Sequence, residues 1–103
     1  MARQAFRSQV FVGHKDVHAV DVPFDPGQVW PDLSPEAMTR EEDPRGGRGW
    51  PVAATVNGVR FEGHVGLRYD RNYLILGSDV RAAAGIVDGD VVEVDLLPRS
   101  ARS

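Results

Sequence analysis

Hydrophobic residues alternate with polar residues along much of this chain, and such alternation predicts half-buried β-strands. Asn57-Gly58 separates two of these alternating stretches, which is a strong signal for a hairpin closed by a type I′ turn. A short apolar stretch before Gly77 predicts one further, more deeply buried strand. The predicted strands cover residues 5–12, 17–23, 50–56, 59–67, 73–76 and 91–97. The pattern therefore predicts a mainly β domain.

Capping residues predict two short helices between these strands. Asp25 precedes Pro26, which is the order expected where a capped helical turn begins. A second helix follows residues 73–76, with Ser78 as its expected N-cap. Gly85 is expected to end this helix, because glycine adopts the left-handed conformation without a Cβ clash.

Residues 31–49 interrupt the alternating pattern. Ser34 can cap a short helix over residues 34–38, and a charged, glycine-rich loop follows at residues 43–49. This connection is longer than most in compact domains, and we favour a disordered or decorative loop over a functional lid. The acidic run at residues 41–43 is interpreted as a solvated surface feature.

Length and composition limit the classes of protein to consider. With 103 residues, 42% of them hydrophobic and 26% charged, the chain is expected to form one domain over residues 1–103. It contains no cysteine, which excludes disulfides and thiolate zinc sites. No apolar run approaches the ~18 residues of a membrane span, and the N-terminus lacks the apolar core of a signal peptide, so we expect a cytoplasmic protein without membrane association. The net charge of −3 disfavours a generic nucleic-acid binder.

Three segments carry a resemblance to a known family. They are VPFDPGQVW at residues 22–30, PVAATVNGVRF at residues 51–61, and VRAAAGIVDGDVVEV at residues 80–94. Together they resemble a bacterial family catalogued as domain of unknown function 1905, which is similar in fold to AbrB/MazE-type transcription factors. The resemblance spans roughly residues 5–97 and implies a double-split β-barrel of about six to seven strands with short capping helices. Family members generally have a shorter link at residues 31–49, which we therefore interpret as an insertion.

Histidines are the first candidates for chemistry, because only their side chains titrate near neutral pH without perturbation. His18 shares a strand face with two valines, and a buried, hydrogen-bonded histidine is favoured there over a catalytic role. His64 lies on the polar face of its strand, where a solvated side chain is favoured over a functional one. His14 and His18 are too far apart on an extended chain to ligate one metal without a turn between them. We predict no metal and no cofactor, and keep His18 and His64 as catalytic candidates.

Candidate ligand-binding residues are mostly aromatic. They are His14, Trp30, Trp50, Tyr69, Tyr73 and Arg81. Small barrels often use aromatic residues simply as core, and that interpretation is favoured over a pocket lining. For Arg81 we expect a structural ion pair with Asp79 or Asp90, with anion binding as the alternative.

Three functions are compatible with these features. The first is a barrel that binds, and could convert, a small molecule in or at the mouth of the barrel. The second is an AbrB-like DNA-binding regulator, which rests on analogy of fold alone. The third is a non-catalytic interaction module that dimerises through strand edges. We favour the first, predict that the chain does not bind duplex DNA tightly, and expect a monomer or a homodimer.

Overall fold

The computed structural model describes residues 2–68 and 70–99, with only the backbone described at His14. Its strands are β1 (Gln4–Val12), β2 (His18–Asp21), β3 (Glu36–Ala37), β4 (Arg48–Val56), β5 (Val59–Arg68), β6 (Arg71–Ile75) and β7 (Val91–Pro98). Its α-helices are α1 (Pro26–Val29) and α2 (Ser78–Ala84), and a single 3-10 turn lies at His14–Asp16. Within the described ranges, no helix has both the length and the apolar character needed to cross a bilayer.

Six of the strands close into an antiparallel barrel. The order around the barrel is β1, β2, β6, β5, β4 and β7, and the pairing of β7 with β1 completes the circle. The additional strand β3 pairs with the first residues of β4, outside the closed ring. The predicted fold class is therefore confirmed: the protein is mainly β and forms one small barrel with two short helices.

Side chains fill the interior of the barrel. Each strand directs alternate residues inward, and the inward positions are nearly all valine or leucine. The core residues are Val10, Val20, Val22, Trp30, Leu33, Val52, Ala54, Val56, Val65, Leu74, Leu76, Ile86, Val92, Val94 and Leu96. Fully burying a side chain of this size stabilises the fold by about 1.5–3 kcal/mol. Since the interior is packed, a binding site has to be sought on the outer faces of the strands.

Local signals account for most turns and helix ends. The Asp25 carboxylate accepts a hydrogen bond from the Gly27 N–H at 2.9 Å, as expected for the cap of α1. Asn57 and Gly58 have φ values of 47° and 85°, which suit a type I′ turn. Gly85 ends α2 at φ 66°, in the left-handed region. The prediction for Ser78 was wrong, because α2 already includes Ser78 and its N-cap is Gly77, without a side-chain hydrogen bond.

Residues 31–49, called the insertion from here on, pack against the barrel. The prediction of a helix at residues 34–38 was wrong, because this segment contains the strand β3. The pairing of β7 with β4 reaches only to Val52 opposite Pro98, which leaves the start of β4 without a neighbour on that side. β3 occupies this free edge by pairing with Arg48 and Gly49. The insertion is thereby anchored along the barrel.

Candidate functional site

The insertion covers part of the outer face of β5. Val65 points into the barrel, so the alternation of the strand turns His64 and Gly66 outward. His64 is nevertheless only 6% exposed. The expectation of a solvated His64 was therefore wrong about burial, although the polar face had been assigned to the correct side of the strand. The insertion covers this part of the outer face of β5, and the alternation of hydrophobic and polar residues in β5 does not predict that cover.

His64 is held between two carboxylates of the insertion. Its Nδ1 lies 2.8 Å from Glu42 Oε1, and its Nε2 lies 2.8 Å from Glu36 Oε2. The side chain of Glu42 is 13% exposed and that of Glu36 is 33% exposed. Glu42 is also fixed by the backbone N–H and the hydroxyl of Thr39. The interpretation of residues 41–43 as a solvated acidic run was thus wrong for Glu42.

The hydrogen bonds at His64 imply one more proton than a neutral ring carries. A neutral imidazole donates from one nitrogen and accepts at the other, whereas ionised carboxylates only accept. Both contacts are satisfied when the histidine and the two carboxyl groups together hold that additional proton. Arg99 adds a second positive charge, with its Nη1 3.8 Å from Glu36 Oε2 and its Nη2 donating to the Gly63 carbonyl at 3.0 Å. The cluster is therefore a charge-compensated clamp that ties the insertion to β5.

A cleft of about 610 Å³ opens beside this clamp, between the insertion and the outer face of the barrel. Its floor is formed by outward residues of β1, β2 and β6, and one wall is the turn of the insertion. The lining residues are Phe11, Gly13, Lys15, Val17, Ala19, Glu42, Asp43, Pro44, Arg45, Arg68, Arg71, Tyr73 and Ile75. Glu42 belongs both to this lining and to the His64 clamp, so the clamp forms part of the wall of the cleft.

The cleft lining combines apolar and charged groups. Phe11, Val17 and Ile75 provide much of the apolar surface, and four basic residues together with two acidic ones provide the charge. Arg71 forms a two-pronged ion pair with Asp21, at 2.9 and 2.8 Å, and its guanidinium lies 4.7 Å from the centre of the Phe11 ring. This arrangement fixes Arg71 along the sheet surface.

Tyr73 is the predicted ligand-binding residue that the structure places in the cleft. Burial, and then the negative charge of Asp43, raise the pKa of its hydroxyl, while Arg68 and Arg45 act in the opposite direction. The hydroxyl therefore keeps its proton throughout the neutral range and can donate a hydrogen bond. Its ring lies against Gly66, where an added Cβ would come within 2.7 Å of the ring carbon Cζ. The Tyr73 ring can pack in this position because Gly66 has no side chain.

Three of the other predicted residues, namely His18, Trp30 and Trp50, lie outside the cleft lining. His18 is half-buried, with its Nδ1 3.1 Å from the Asp16 carbonyl. Trp30 belongs to the core and donates to the Ala2 carbonyl, and Trp50 packs partly buried against that core. The side chain of His14 and all of Tyr69 lie outside the described residues.

Arg81 does not form the predicted ion pair with Asp79 or Asp90. Its Nε instead donates to the carbonyl of Leu76 at 3.1 Å, which ties α2 to the end of β6. The prediction of a structural role thus fits the observed contact, but the predicted partner was wrong.

Glu36, Glu42 and Arg45 were missed as site residues. Their sequence context is a charged loop, and nothing local distinguishes a solvated acid from one that returns to the barrel. Within residues 2–68 and 70–99, no group of three or more histidine, aspartate or glutamate side chains is arranged to hold a metal ion.

Comparison with known proteins identifies a family but no characterised relative. The profile of a domain of unknown function, DUF1905, matches residues 6–96. No curated protein matches the chain.

Proposed function

The chain belongs to the DUF1905 family, and we propose that it binds a small organic molecule in the cleft between the insertion and the outer face of the barrel. The observation that carries the proposal is the cleft itself, with a volume of about 610 Å³ and an apolar floor bordered by polar groups. Sites for small molecules are typically concave, mainly apolar and of about 300–1,000 Å³.

The clamp at His64 supports this proposal by giving the cleft a fixed wall. Ligand sites tend to be largely formed before the ligand arrives, since ordering a loop on binding weakens affinity. Glu42 is held by His64 on one side and by Thr39 on the other, and these contacts support a wall that is in place before a ligand arrives. His64 thus acts as a positioning residue in this proposal, and Tyr73 is the group that would contact the ligand.

Binding can be tested by recording amide NMR spectra of the protein with a library of small organic fragments. We expect fragments to shift the amide signals of Phe11, Val17 and Tyr73 together. Ile75→Trp places a large ring in the cleft and should weaken these responses. Val91→Trp, at a position 63% exposed on β7 and outside the cleft lining, is the matched control and should leave them unchanged. The proposal fails if no fragment shifts the cleft amides, or if Ile75→Trp binds as the wild type does.

The AbrB-like alternative has less support, because much of the basic surface that it requires is engaged in other contacts. Arg3 lies 2.9 Å from Asp95, and Arg7 lies 3.1 Å from Glu93. Arg48 donates to the Pro35 carbonyl within the insertion. These arginines would have to exchange existing partners for phosphates. The absence of tight duplex binding stays our prediction, and a salt-dependent sub-micromolar affinity in an anisotropy titration would contradict it.

A further inference from the structure

We propose, building on the function proposed above, that the ligand is an amphipathic anion: an apolar body that lies on the cleft floor, joined to one carboxylate, sulfonate or phosphate group. Nothing in the comparisons assigns a ligand to this cleft, so the chemistry of the lining has to identify it. Two properties of the lining carry the inference, namely its basic groups and its apolar floor.

The first property is a local excess of positive charge in an acidic protein. The chain as a whole has a net charge of −3, yet the cleft lining contains four basic and two acidic residues. Arg71 is paired with Asp21, so three basic residues remain against the two acidic ones. A concave surface focuses the field of its charges more strongly than an open surface does. The cleft therefore favours anions, although the protein as a whole does not.

Both acidic groups of the lining already have partners in the insertion. Glu42 accepts from Thr39 and contacts His64, as described above. Asp43 accepts from the backbone N–H groups of Arg45 and Gly47, at 2.9 and 3.1 Å, and its side chain is 15% exposed. These hydrogen bonds disperse the two negative charges within the loop. A ligand anion would accordingly meet Lys15 and Arg45 with little competition from Glu42 and Asp43.

Lys15 and Arg45 are the basic residues best placed to respond to a ligand. Among the described residues, the ammonium group of Lys15 has no ion-pair partner. The Nε of Arg45 is 3.9 Å from Asp43 Oδ1, at the limit for an ion pair, and its side chain is 65% exposed. Arg71, in contrast, is committed to Asp21. Lys15 lies in the turn after β1 and Arg45 in the insertion, so an anion bound by both would join two separate segments of the cleft lining.

The second property is the apolar floor, which a simple inorganic anion would not use. Phe11, Val17 and Ile75 are partly buried and present hydrophobic surface at the base of the cleft. The Tyr73 hydroxyl remains protonated because its pKa is raised, so it offers the anion a hydrogen-bond donor. An apolar body with a single anionic group matches this arrangement, whereas free phosphate matches only the basic part.

Two fluorescent dyes of similar shape provide the test. 8-Anilinonaphthalene-1-sulfonate carries an aromatic body and one anionic group, and N-phenyl-1-naphthylamine carries the same body without the charge. We expect the sulfonate to bind more tightly to the wild-type protein, with an affinity that falls as salt rises from 50 to 500 mM. Binding of the neutral dye should be weaker and nearly independent of salt. Inorganic phosphate at millimolar concentration should displace neither dye efficiently.

Charge variants localise the effect. Lys15→Gln and Arg45→Gln should each weaken binding of the sulfonate by about two- to five-fold, as expected for partly exposed ion pairs. The double variant should weaken it by about ten-fold and bring the two dyes to similar affinities. Arg60→Gln removes the same charge from an exposed position of β5 outside the cleft lining, and should have no effect.

The outcomes separate this inference from the function on which it rests. Equal binding of both dyes, blocked by Ile75→Trp but unaffected by the charge variants, would overturn the anionic ligand and leave a small-molecule site in place. If inorganic phosphate by itself displaces the sulfonate dye, the cleft is a site for simple anions and the inference of an amphipathic ligand is wrong. If neither dye binds, the result counts against the proposed function as well. The same holds if Ile75→Trp and a second cleft-filling variant, Val17→Trp, both bind the dyes as the wild type does.

Discussion

Replacement of His64 by alanine tests the central contact between the insertion and the barrel. The substitution removes the side chain that bridges Glu36 and Glu42. It leaves the Glu42 carboxylate, 13% exposed in the wild-type geometry, with only its hydrogen bonds from Thr39, and it places two carboxylates around an empty space. Loss of one partner of a largely buried carboxylate costs more than the hydrogen bond itself contributed.

The size of the effect follows from the burial of each carboxylate. A hydrogen bond to a charged group contributes about 1.5–3 kcal/mol when buried, and the Glu42 bond belongs in this range. Glu36 is 33% exposed and retains Arg99 at 3.8 Å, so its bond should contribute only about 0.5–1 kcal/mol. We therefore expect His64→Ala to destabilise the fold by about 2–4 kcal/mol. For a domain of this size the melting temperature should fall by about 10–20 °C.

Urea unfolding followed by circular dichroism measures this loss, and His18→Ala is the matched control. His18 is half-buried and makes one contact to a backbone carbonyl of its own turn, so its replacement should cost no more than about 1 kcal/mol. Hydrogen exchange should show the largest loss of protection at the pairing of β3 with β4, where the insertion is anchored.

Glu42→Gln tests whether the loss of stability in His64→Ala comes from the Glu42 carboxylate. Glu42→Gln alone should destabilise the wild type, because it weakens a charge-assisted hydrogen bond. In the His64→Ala background the same change should restore stability, since it removes a largely buried negative charge that faces the Glu36 carboxylate with no histidine between them. If His64→Ala costs no more than His18→Ala, or if Glu42→Gln has the same sign in both backgrounds, the proposed clamp does not stabilise the fold.

Three further changes test other contacts. Gly49→Ala should destabilise by about 1–3 kcal/mol in urea unfolding, because the added Cβ would lie 2.9 Å from the Val65 carbonyl oxygen; Gly13→Ala, with its nearest contact at 3.7 Å, should cost much less. Tyr73 has a pKa raised mainly by burial, so above about pH 10 the unfolded chain releases this proton before the native protein does. Stability measured by urea unfolding should therefore fall more steeply above pH 10 in the wild type than in Tyr73→Phe, and equal slopes would contradict the assignment. Asp25→Ala should lower stability by about 0.5–2 kcal/mol through loss of the α1 cap, seen as a lower melting temperature, and an unchanged value would show that the cap contributes nothing.

The local sequence determined the strands, most turns and the helix ends of this protein. Alternating side chains identify a strand because only one of its faces meets the core, and that relation does not depend on which strand lies beside it. Asp25 and the Asn57-Gly58 turn act within a few residues of chain, so their effects could be predicted without a tertiary structure. Two capping predictions were wrong. α2 already includes Ser78 and has Gly77 as its N-cap, and the segment after Ser34 forms the strand β3 instead of a helix.

Only the tertiary structure decided what covers the outer face of the barrel. His64 was assigned to the correct face of β5, yet its burial depends on Glu42 and Glu36, which are 22 and 28 residues away along the chain. Whether a charged loop stays in solvent or returns to a sheet depends on a free strand edge and on the partners available there, and neither is encoded locally. The cleft and its clamp arise from this return of the insertion, because a pocket between two segments has no counterpart in the periodicity of either one.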